Sequence, residues 1–479
     1  MDDFALTRLN RRAFLQALGI LFGLMLFAGA LTRWLPAGSY QRIEQEGRVT
    51  VVPGSFSYQP RPDYPAWRWL TAPLEVLGGP DGLTLITIVL FLLLVGVAFA
   101  LLERVGLLKR LMAQLVLRFA RHKIRLLLLI SLAFMLLGGF FGIFEEVLPL
   151  VPLMVALAYA LGWDVLVGLG MSILATNMGF SAAVTNPFTV GIAQKLAGLP
   201  LFSAFGLRLV IFVAMYALLA LFLVRYARHI EKHPAASPVF HQDEGRRAQG
   251  QAVDWATLAQ GGPAWRRALR WLGAWLLLIF LILVVGPWVP EVGAYALPLV
   301  GIAFFVGALG AARLSGADWP HIGTAAREGL MGMAPAILLI LMAASVKYIV
   351  VQGGILDTLL YQAVAKLADR GPWEATLLIY LLVLGMELFI ASGSAKAFLL
   401  MPLLVPLADL LGISRQVVVL AYCFGDGFSN LAYPTNPVLL IALGLTAVSY
   451  PQWLRWLARL WLWVILLSVG FLTLALWMV

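Results

Sequence analysis

Four short stretches place chemically capable residues inside otherwise apolar sequence. Glu145 and Glu146 are adjacent and follow Gly142-Ile143-Phe144. Ser392-Gly393-Ser394-Ala395-Lys396 sets two hydroxyls and an ammonium between apolar runs. Thr185-Asn186-Pro187 and Thr435-Asn436-Pro437 each end a run with a proline behind two side-chain oxygens. Charges among apolar neighbours are costly and mark ion or substrate paths. Paired carboxylates suit an ammonium group, whereas Lys396, the two serines and a helix N-terminus suit a carboxylate. Proline removes a donor N–H and pushes the preceding residue out of helical geometry. Residues 184–187 and 433–437 are therefore expected to be unwound, offering Thr, Asn and carbonyl oxygens to a cation such as sodium. A proline kink satisfied by neighbouring helices is the alternative.

Asn177, Asp426, Ser429 and Asn430 precede the two breaks and complete the polar set. The expected substrate contacts are Glu145, Glu146, Asn186, Ser392, Gly393, Ser394, Lys396 and Asn436. The expected cation ligands are Asn177, Thr185, Asn186, Asp426, Ser429, Asn430, Thr435 and Asn436. For Glu146 and Lys396 the alternative is an ion pair that joins two hairpin tips. Glu387 and Lys347 either serve the site or pair locally. Asp164 and Asp409 lie near helix ends, where solvation is expected.

The elements that hold these residues must cross a membrane. The chain has 479 residues, 62% of them hydrophobic and only 12% charged. A soluble domain carries about twice that share of charge, so a water-soluble enzyme and a disordered chain are excluded. Leu83 to Leu102, Val165 to Gln194, Trp271 to Pro290, Gly427 to Leu454 and Leu460 to Val479 contain no Asp, Glu, Lys or Arg. A bilayer core needs about 20 apolar residues per helix. The net charge of +10 sits mostly in short segments beside spans, the positive-inside pattern, and not a nucleic-acid surface. The single cysteine, Cys423, excludes an internal disulfide and a Cys-rich metal site.

Asn10-Arg11-Arg12 ahead of an apolar run is like a twin-arginine signal, and Ala28-Gly29-Ala30 like a cleavage site. The run is long enough to span, so Ala13 to Leu35 reads as an uncleaved first helix. Arg8, Arg11 and Arg12 place its start in the cytoplasm. Residues 36–72 read as an extracytoplasmic loop. Residues 104–125 carry seven Lys or Arg and read as an amphipathic interfacial helix. Residues 228–264 read as a cytoplasmic linker, consistent with Arg225, Arg228, Lys232, Arg246, Arg247, Arg266, Arg267 and Arg270.

An internal repeat orders these pieces. Shifted by 250 residues, Pro152 to Pro187 matches Pro402 to Pro437 at 12 of 36 positions without a gap. The shift superposes both Thr-Asn-Pro tripeptides and sets Glu146 opposite Lys396. It maps the span at 83–102 onto 333–352 and the basic segment at 104–122 onto 354–372. The second copy has Asp357, Lys366, Asp369 and Arg370, without a basic excess. The two copies are thus expected on opposite membrane faces, with a span near Tyr295 to Ala312 supplying the odd crossing. Inverted repeats with discontinuous helices mark transporters. Leu126 to Gly162 and Thr376 to Leu411 are expected as re-entrant hairpins with tips at Gly142–Glu146 and Ser392–Lys396.

The expected organisation is all-α and polytopic. A first helix and loop occupy 1–82, the first repeat 83–227 and the linker 228–264. Two linking helices occupy 265–330, and the second repeat 331–479. The N-terminus is expected in the cytoplasm and the C-terminus outside.

Pro36-Ala37-Gly38-Ser39-Tyr40, Val52-Pro53-Gly54-Ser55-Phe56, Glu145-Glu146, Thr185 to Gly191, Ser392-Gly393-Ser394, Gly425-Asp426-Gly427-Phe428 and Pro434-Thr435-Asn436 together resemble the YfcC family. That family groups with the four-carbon dicarboxylate anaerobic carriers and the wider ion transporter superfamily. The resemblance implies a homodimeric secondary transporter of the bacterial inner membrane that works by an elevator motion. It implies coupling to sodium or protons, or exchange, and no other cofactor. Adjacent acids at a tip favour an amino acid, a cationic one above others; a four-carbon dicarboxylate is the alternative.

Other classes fit less well. His122, His229, His233, His241 and His321 all fall outside the broken helices, which leaves a membrane enzyme without a catalytic set. A phosphate-binding glycine loop with lysine is missing. Hairpins with buried charges suit alternating access better than an open channel.

Overall fold

The computed structural model describes residues 11–45, 48–119, 122–243, 262–285, 289, 292, 295–367, 370–446 and 448–478. Arg8, Arg246, Arg247, Asp369 and linker residues 244–261 lie outside this set. Among the described residues, nine helices are long and apolar enough to cross a membrane.

The first element, α1 (Arg11–Trp34), is one continuous helix. Residues 36–58, expected as loop, instead form two small antiparallel sheets. β1 (Gly38–Ser39) pairs with β4 (Ser57–Tyr58), and β2 (Arg42–Gln45) with β3 (Arg48–Val51). Helix α2 (Arg68–Glu75) leads to α3 (Gly82–Arg104). Then come α4 (Leu107–Phe119), the basic helix, and α5 (Lys123–Leu136). α6 (Val151–Ala160), α7 (Val165–Leu169), α8 (Ala175–Ala182) and α9 (Ile192–Leu196) are short. The long α10 (Phe205–Lys232) closes the first half. After the linker come α11 (Pro263–Val285), α12 (Ala296–Leu314) and α13 (Trp319–Gln352). The second half holds α14 (Leu356–Ala365), α15 (Pro372–Met386), α16 (Gly393–Leu410), α17 (Arg415–Ser429), α18 (Pro437–Gly444) and α19 (Tyr450–Met478).

Two groups of helices result. α1, α3, α11, α12 and α13 pack on one another. α3 and α13 run antiparallel, because Arg104 meets Glu328 at 3.0 Å and Lys347 meets Asp81 at 2.6 Å, at opposite ends. Glycines let these backbones close. A Cβ at Gly329 would stand 2.6 Å from the Gly96 carbonyl oxygen, and small residues drive such crossings where lipid gives little hydrophobic contrast. Lys347 thus pairs locally and does not join the site.

The second group is α5–α10 with α15–α19. α5 lies on α8, α15 on α17, and α8 on α17. Lys123 at the start of α5 meets Glu231 near the end of α10 at 2.8 Å. At the start of α15, Trp373 donates to Thr473 near the end of α19, 3.1 Å away. The expected solvation of Asp164 is overturned. It is 1% exposed, caps α7 through Val167 N–H, and accepts from Tyr226 at 2.6 Å and Ser237 at 2.7 Å. Asp243 is also buried and accepts from Tyr159 and Val165 N–H. Ser237 and Asp243 therefore tie the segment after α10 to α6 and the start of α7. Asp409 is half-exposed and pairs with Arg415 at 2.7 Å.

The segment 36–58 is fastened to α14. Asp357 accepts from Tyr40 N–H at 2.9 Å and from Arg42 at 2.8 Å, and the Phe56 ring stacks on Tyr361 at 4.1 Å. Asp357→Ala leaves a buried N–H unsatisfied, a cost of about 1–3 kcal/mol. The expected result is faster protease cutting within 40–60 in the intact protein.

Candidate functional site

The first hairpin turns where α5 widens into a π-helical turn over Leu137–Phe141 and Gly142 takes a positive φ of 71°. Residues Glu145–Leu150 form a 3-10 turn into α6. A Cβ on Gly142 would stand 2.3 Å from Asn186 Oδ1, so this tip rests on the first break. There α8 stops at Ala183 with φ 45°. Asn186 caps the next turn, accepting from Phe188 N–H at 2.9 Å and Thr189 N–H at 3.3 Å, with Pro187 as first residue. Thr185 donates to the Phe140 carbonyl at 2.9 Å, tying break to hairpin.

The second half repeats these devices. α17 ends at Ser429, and Asn436 caps α18 by accepting from Val438 N–H at 2.9 Å, with Pro437 first. Thr435 donates to the Glu387 carbonyl at 3.5 Å. Ser392 caps α16 and Tyr422 donates to the Gly393 carbonyl. Asparagine before proline is thus an N-cap pair: the amide oxygen accepts the first free donors and proline needs none. Asn436 also donates to Asn430 Oδ1 at 2.8 Å. Asn436→Ala removes the cap and orphans Asn430, so a stability loss of about 1–2 kcal/mol is expected as a lower thermal midpoint in detergent.

The charges arrange differently from the sequence expectation. Lys396 is fully buried and pairs with Glu387 and, at 2.9 Å, with Asp426. The Glu146–Lys396 ion pair, the alternative to substrate contact, is not formed, and in this conformation the ammonium is held by Glu387 and Asp426. The 250-residue shift aligns positions, but Glu387 lies nine residues from Lys396 on the same hairpin and outcompetes the distant tip. Glu145 is exposed and Glu146 half-buried, and neither has an ion-pair partner among the described residues. Glu146 accepts from Phe144 N–H at 3.2 Å. Ser392 is exposed, and Gly393 and Ser394 are half-buried.

Glu145–Leu150 packs against α18, beyond the second break, while residues 187–191 beyond the first break pack against α16. The two tips and two breaks therefore interlock. The structure brings together Glu145, Glu146, Thr185 and Asn186 around the first tip, and Gly393, Lys396, Asp426 and Thr435 around the second. Ser429 donates back to the Gly425 carbonyl at 2.6 Å. Asn177 stands apart, lining a cavity of about 10 Å³ with Phe428 and Trp461. Among the buried atoms that lack hydrogen-bond partners, Asn186 Nδ2, Thr189 Oγ1, Glu387 Oε1 and Asp426 Oδ2 lie at the tips and breaks, and Asn177 Oδ1 lies in α8.

Two participants escape sequence inspection. Tyr422 reads as one more apolar residue of α17. Arg208 is 1% exposed and reaches the Ala183 carbonyl at 3.3 Å and Cys423 Sγ at 3.8 Å. Its charge within the apolar run of α10 is the signal that marks it.

Spans, interrupted helices and interlocked hairpin tips over buried charges define an integral membrane protein built around an interior polar site. The chain belongs to the C4-dicarboxylate anaerobic carrier family, whose model matches residues 14–477, and it is a membrane transporter, not an enzyme. It is 31% identical over 385 residues to YfcC of Escherichia coli strain K12, provisionally named a basic amino acid antiporter, covering 78% of this chain and 74% of that one. It is 26% identical over 373 residues to an uncharacterised protein of Haemophilus influenzae, covering 77% and 71%. Among solved structures it is similar to the Alcanivorax borkumensis YdaH transporter, with TM-score 0.42, 20% identity and 95% and 98% coverage. It is also similar to Neisseria gonorrhoeae MtrF, described with antimetabolite efflux pumps, with TM-score 0.42, 16% identity and 98% and 95% coverage.

Proposed function

We propose that this transporter exchanges small amino acids, with cationic ones such as arginine or ornithine favoured, in the bacterial inner membrane. One observation carries the choice of substrate. Glu145 is exposed and Glu146 half-buried at a hairpin tip, and neither has an ion-pair partner among the described residues. Unpaired carboxylates in such a place favour a cation. The surroundings agree in sign. Lys396 is shared by Glu387 and Asp426, and Glu145 and Glu146 add two further acids without an ion pair among the described residues, so acids outnumber bases at the two tips. A dianion gains little there. The α-carboxylate of an amino acid has Asn186 Nδ2 and the hydroxyl-bearing start of α16 as donors. Thr185, Ser429, Asn430, Thr435 and Asn436 lie at or beside the breaks, and these oxygens, with that of Asn177 farther along α8, are the ones a coupling ion would use.

The mechanism we infer is an elevator built on an inverted repeat. α5–α10 and α15–α19 form the moving unit, and α1, α3, α11, α12 and α13 the fixed one, which pairs two copies into a homodimer. The contact of Glu145–Leu150 with α12 supports a site at the seam between the units. The opposite settings of α4, against α6, and α14, against residues 36–58, support the inversion. The N-terminus is then cytoplasmic and the C-terminus extracytoplasmic.

Thermal unfolding of purified protein, screened with arginine, ornithine, lysine, neutral amino acids, succinate, fumarate and citrate, tests the assignment. Ligand that binds only the folded state raises the midpoint. A shift with amino acids is expected. A shift with succinate or fumarate alone overturns the amino-acid assignment in favour of the dicarboxylate one.

A further inference from the structure

We propose that Lys396 is a built-in counter-cation: its ammonium fills the place between Glu387 and Asp426 that a coupling metal cation would take, so hairpin 2 closes without sodium. The proposal rests on hairpin 2 being a closing tip of the transport site. Its support is the arrangement of three charges on three elements.

Glu387 ends α15, Lys396 lies in the first turn of α16, and Asp426 sits in α17. All are 0–1% exposed. A cation in a first turn is disfavoured, because the helix N-terminus carries positive partial charge. Burying a long flexible side chain there also costs rotamer freedom. Local preference therefore does not explain Lys396. The two carboxylates do. They would repel one another without a cation between them, and Lys396 supplies it from within the hairpin.

The site has the makings of a cation site beyond the lysine. Glu387 Oε1 and Asp426 Oδ2 are buried and lack hydrogen-bond partners. A Cβ on Gly393 would stand 2.7 Å from Asp426 Oδ2, so only a bare backbone allows the tip this close to the carboxylate. Tyr422 fastens the same glycine through its carbonyl. Thr435 reaches the Glu387 carbonyl from the second break. The ammonium thus links both arms of the hairpin to α17, as a bound ion would. The three charges sum to one negative, against two for the carboxylates alone, so the ammonium removes half of the charge that a bound cation would otherwise have to balance.

The test uses the full chain in detergent, without substrate, so its outcome is separate from the substrate assignment. Thermal midpoints are compared in sodium chloride and in N-methylglucamine chloride at equal ionic strength, with propylammonium chloride as a third condition. For the unaltered protein, exchange of sodium for N-methylglucamine is expected to move the midpoint by no more than about 1 °C. Lys396→Ala is expected to lower it by roughly 5 °C, because one partner of a buried charge cluster is gone. Sodium or propylammonium is then expected to restore part of that loss in a saturable way. The double variant Lys396→Met with Glu387→Gln keeps one net negative charge and is expected to fold without responding to either cation. It keeps the proposal testable if Lys396→Ala does not fold: any saturable cation response of the double variant places the response elsewhere. A clear sodium stabilisation of the unaltered protein overturns the proposal, as does a Lys396→Ala variant indifferent to both cations.

Discussion

Replacing Glu145 and Glu146 together by Gln is expected to lower uptake of a cationic amino acid about 100-fold while leaving the fold intact. The substitution keeps shape and removes charge. A hydrogen bond to a charged group contributes about 1.5–3 kcal/mol, and two decades of affinity correspond to about 2.7 kcal/mol. Loss of the charge of both carboxylates accounts for that much without any rearrangement. Stability is expected to hold or rise, since the two adjacent acids have no basic partner among the described residues and repel each other. The single variants separate their roles. Glu145 is the more exposed, whereas Glu146 is partly committed to Phe144 N–H. Glu145→Gln is therefore expected to act mainly on uptake, and Glu146→Gln on uptake and on the shape of the tip. Radiolabelled uptake in reconstituted vesicles measures the first effect, and thermal unfolding the second. Unchanged uptake by the double variant sinks the ammonium assignment.

What could be read from residue order was mostly what lipid imposes. Apolar length located the spans, and proline chemistry located both breaks, because backbone left unpaired in a membrane needs a special reason. The Asn of each Thr-Asn-Pro reads as a ligand, and in the structure its oxygen also caps the next turn. That job is local, and the sequence carries it as clearly as a ligand role. Charge pairing was less legible. The register sets Glu146 opposite Lys396 and leaves a pair between them as an alternative, whereas Glu387 and Asp426 hold that ammonium, because pairing depends on which side chains face one another, and a repeat offset does not report facing. Asp164 near a helix start was assigned to solvent, but Tyr226 and Ser237 arrive from segments 62 and 73 residues away. The small sheets at 36–58 were missed for the same reason. Strands of two to four residues have too few positions to show alternation, and α14 completes their packing.

Gly179→Ala is expected to be among the most damaging single substitutions in the chain. Its added Cβ would stand 1.9 Å from the Met135 carbonyl oxygen and 2.9 Å from Gly139 N. Across the same crossing, a Cβ on Gly138 would stand 2.1 Å from the Thr176 carbonyl oxygen. These obstacles are backbone, which cannot swing aside as a side chain does. Relief requires the end of α5 and the π-helical turn to lift off α8, and overpacking of this kind costs about 3 kcal/mol or more. Gly385 supplies the control. It lies in α15, and a Cβ added there would meet nothing within 4 Å, so Gly385→Ala is expected to stabilise by about 0.5–1 kcal/mol through helix preference alone. Opposite shifts in thermal midpoint from the same chemical change would show that contact, and not loss of glycine, decides the result. Equal shifts would remove the crossing as the support of hairpin 1. The consequence reaches the site, because Thr185 hangs from Gly139 and Phe140 at 3.2 and 2.9 Å. Lifting that turn moves Glu145, Glu146 and Asn186 relative to one another. Hairpin 2 also docks through a glycine, Gly425 against the Tyr380 carbonyl at 2.9 Å from an added Cβ, but it alone adds the buried charges of Lys396. Backbone contact therefore fixes the first tip, whereas the second is held by backbone contact and by the ion pairs of Lys396 together.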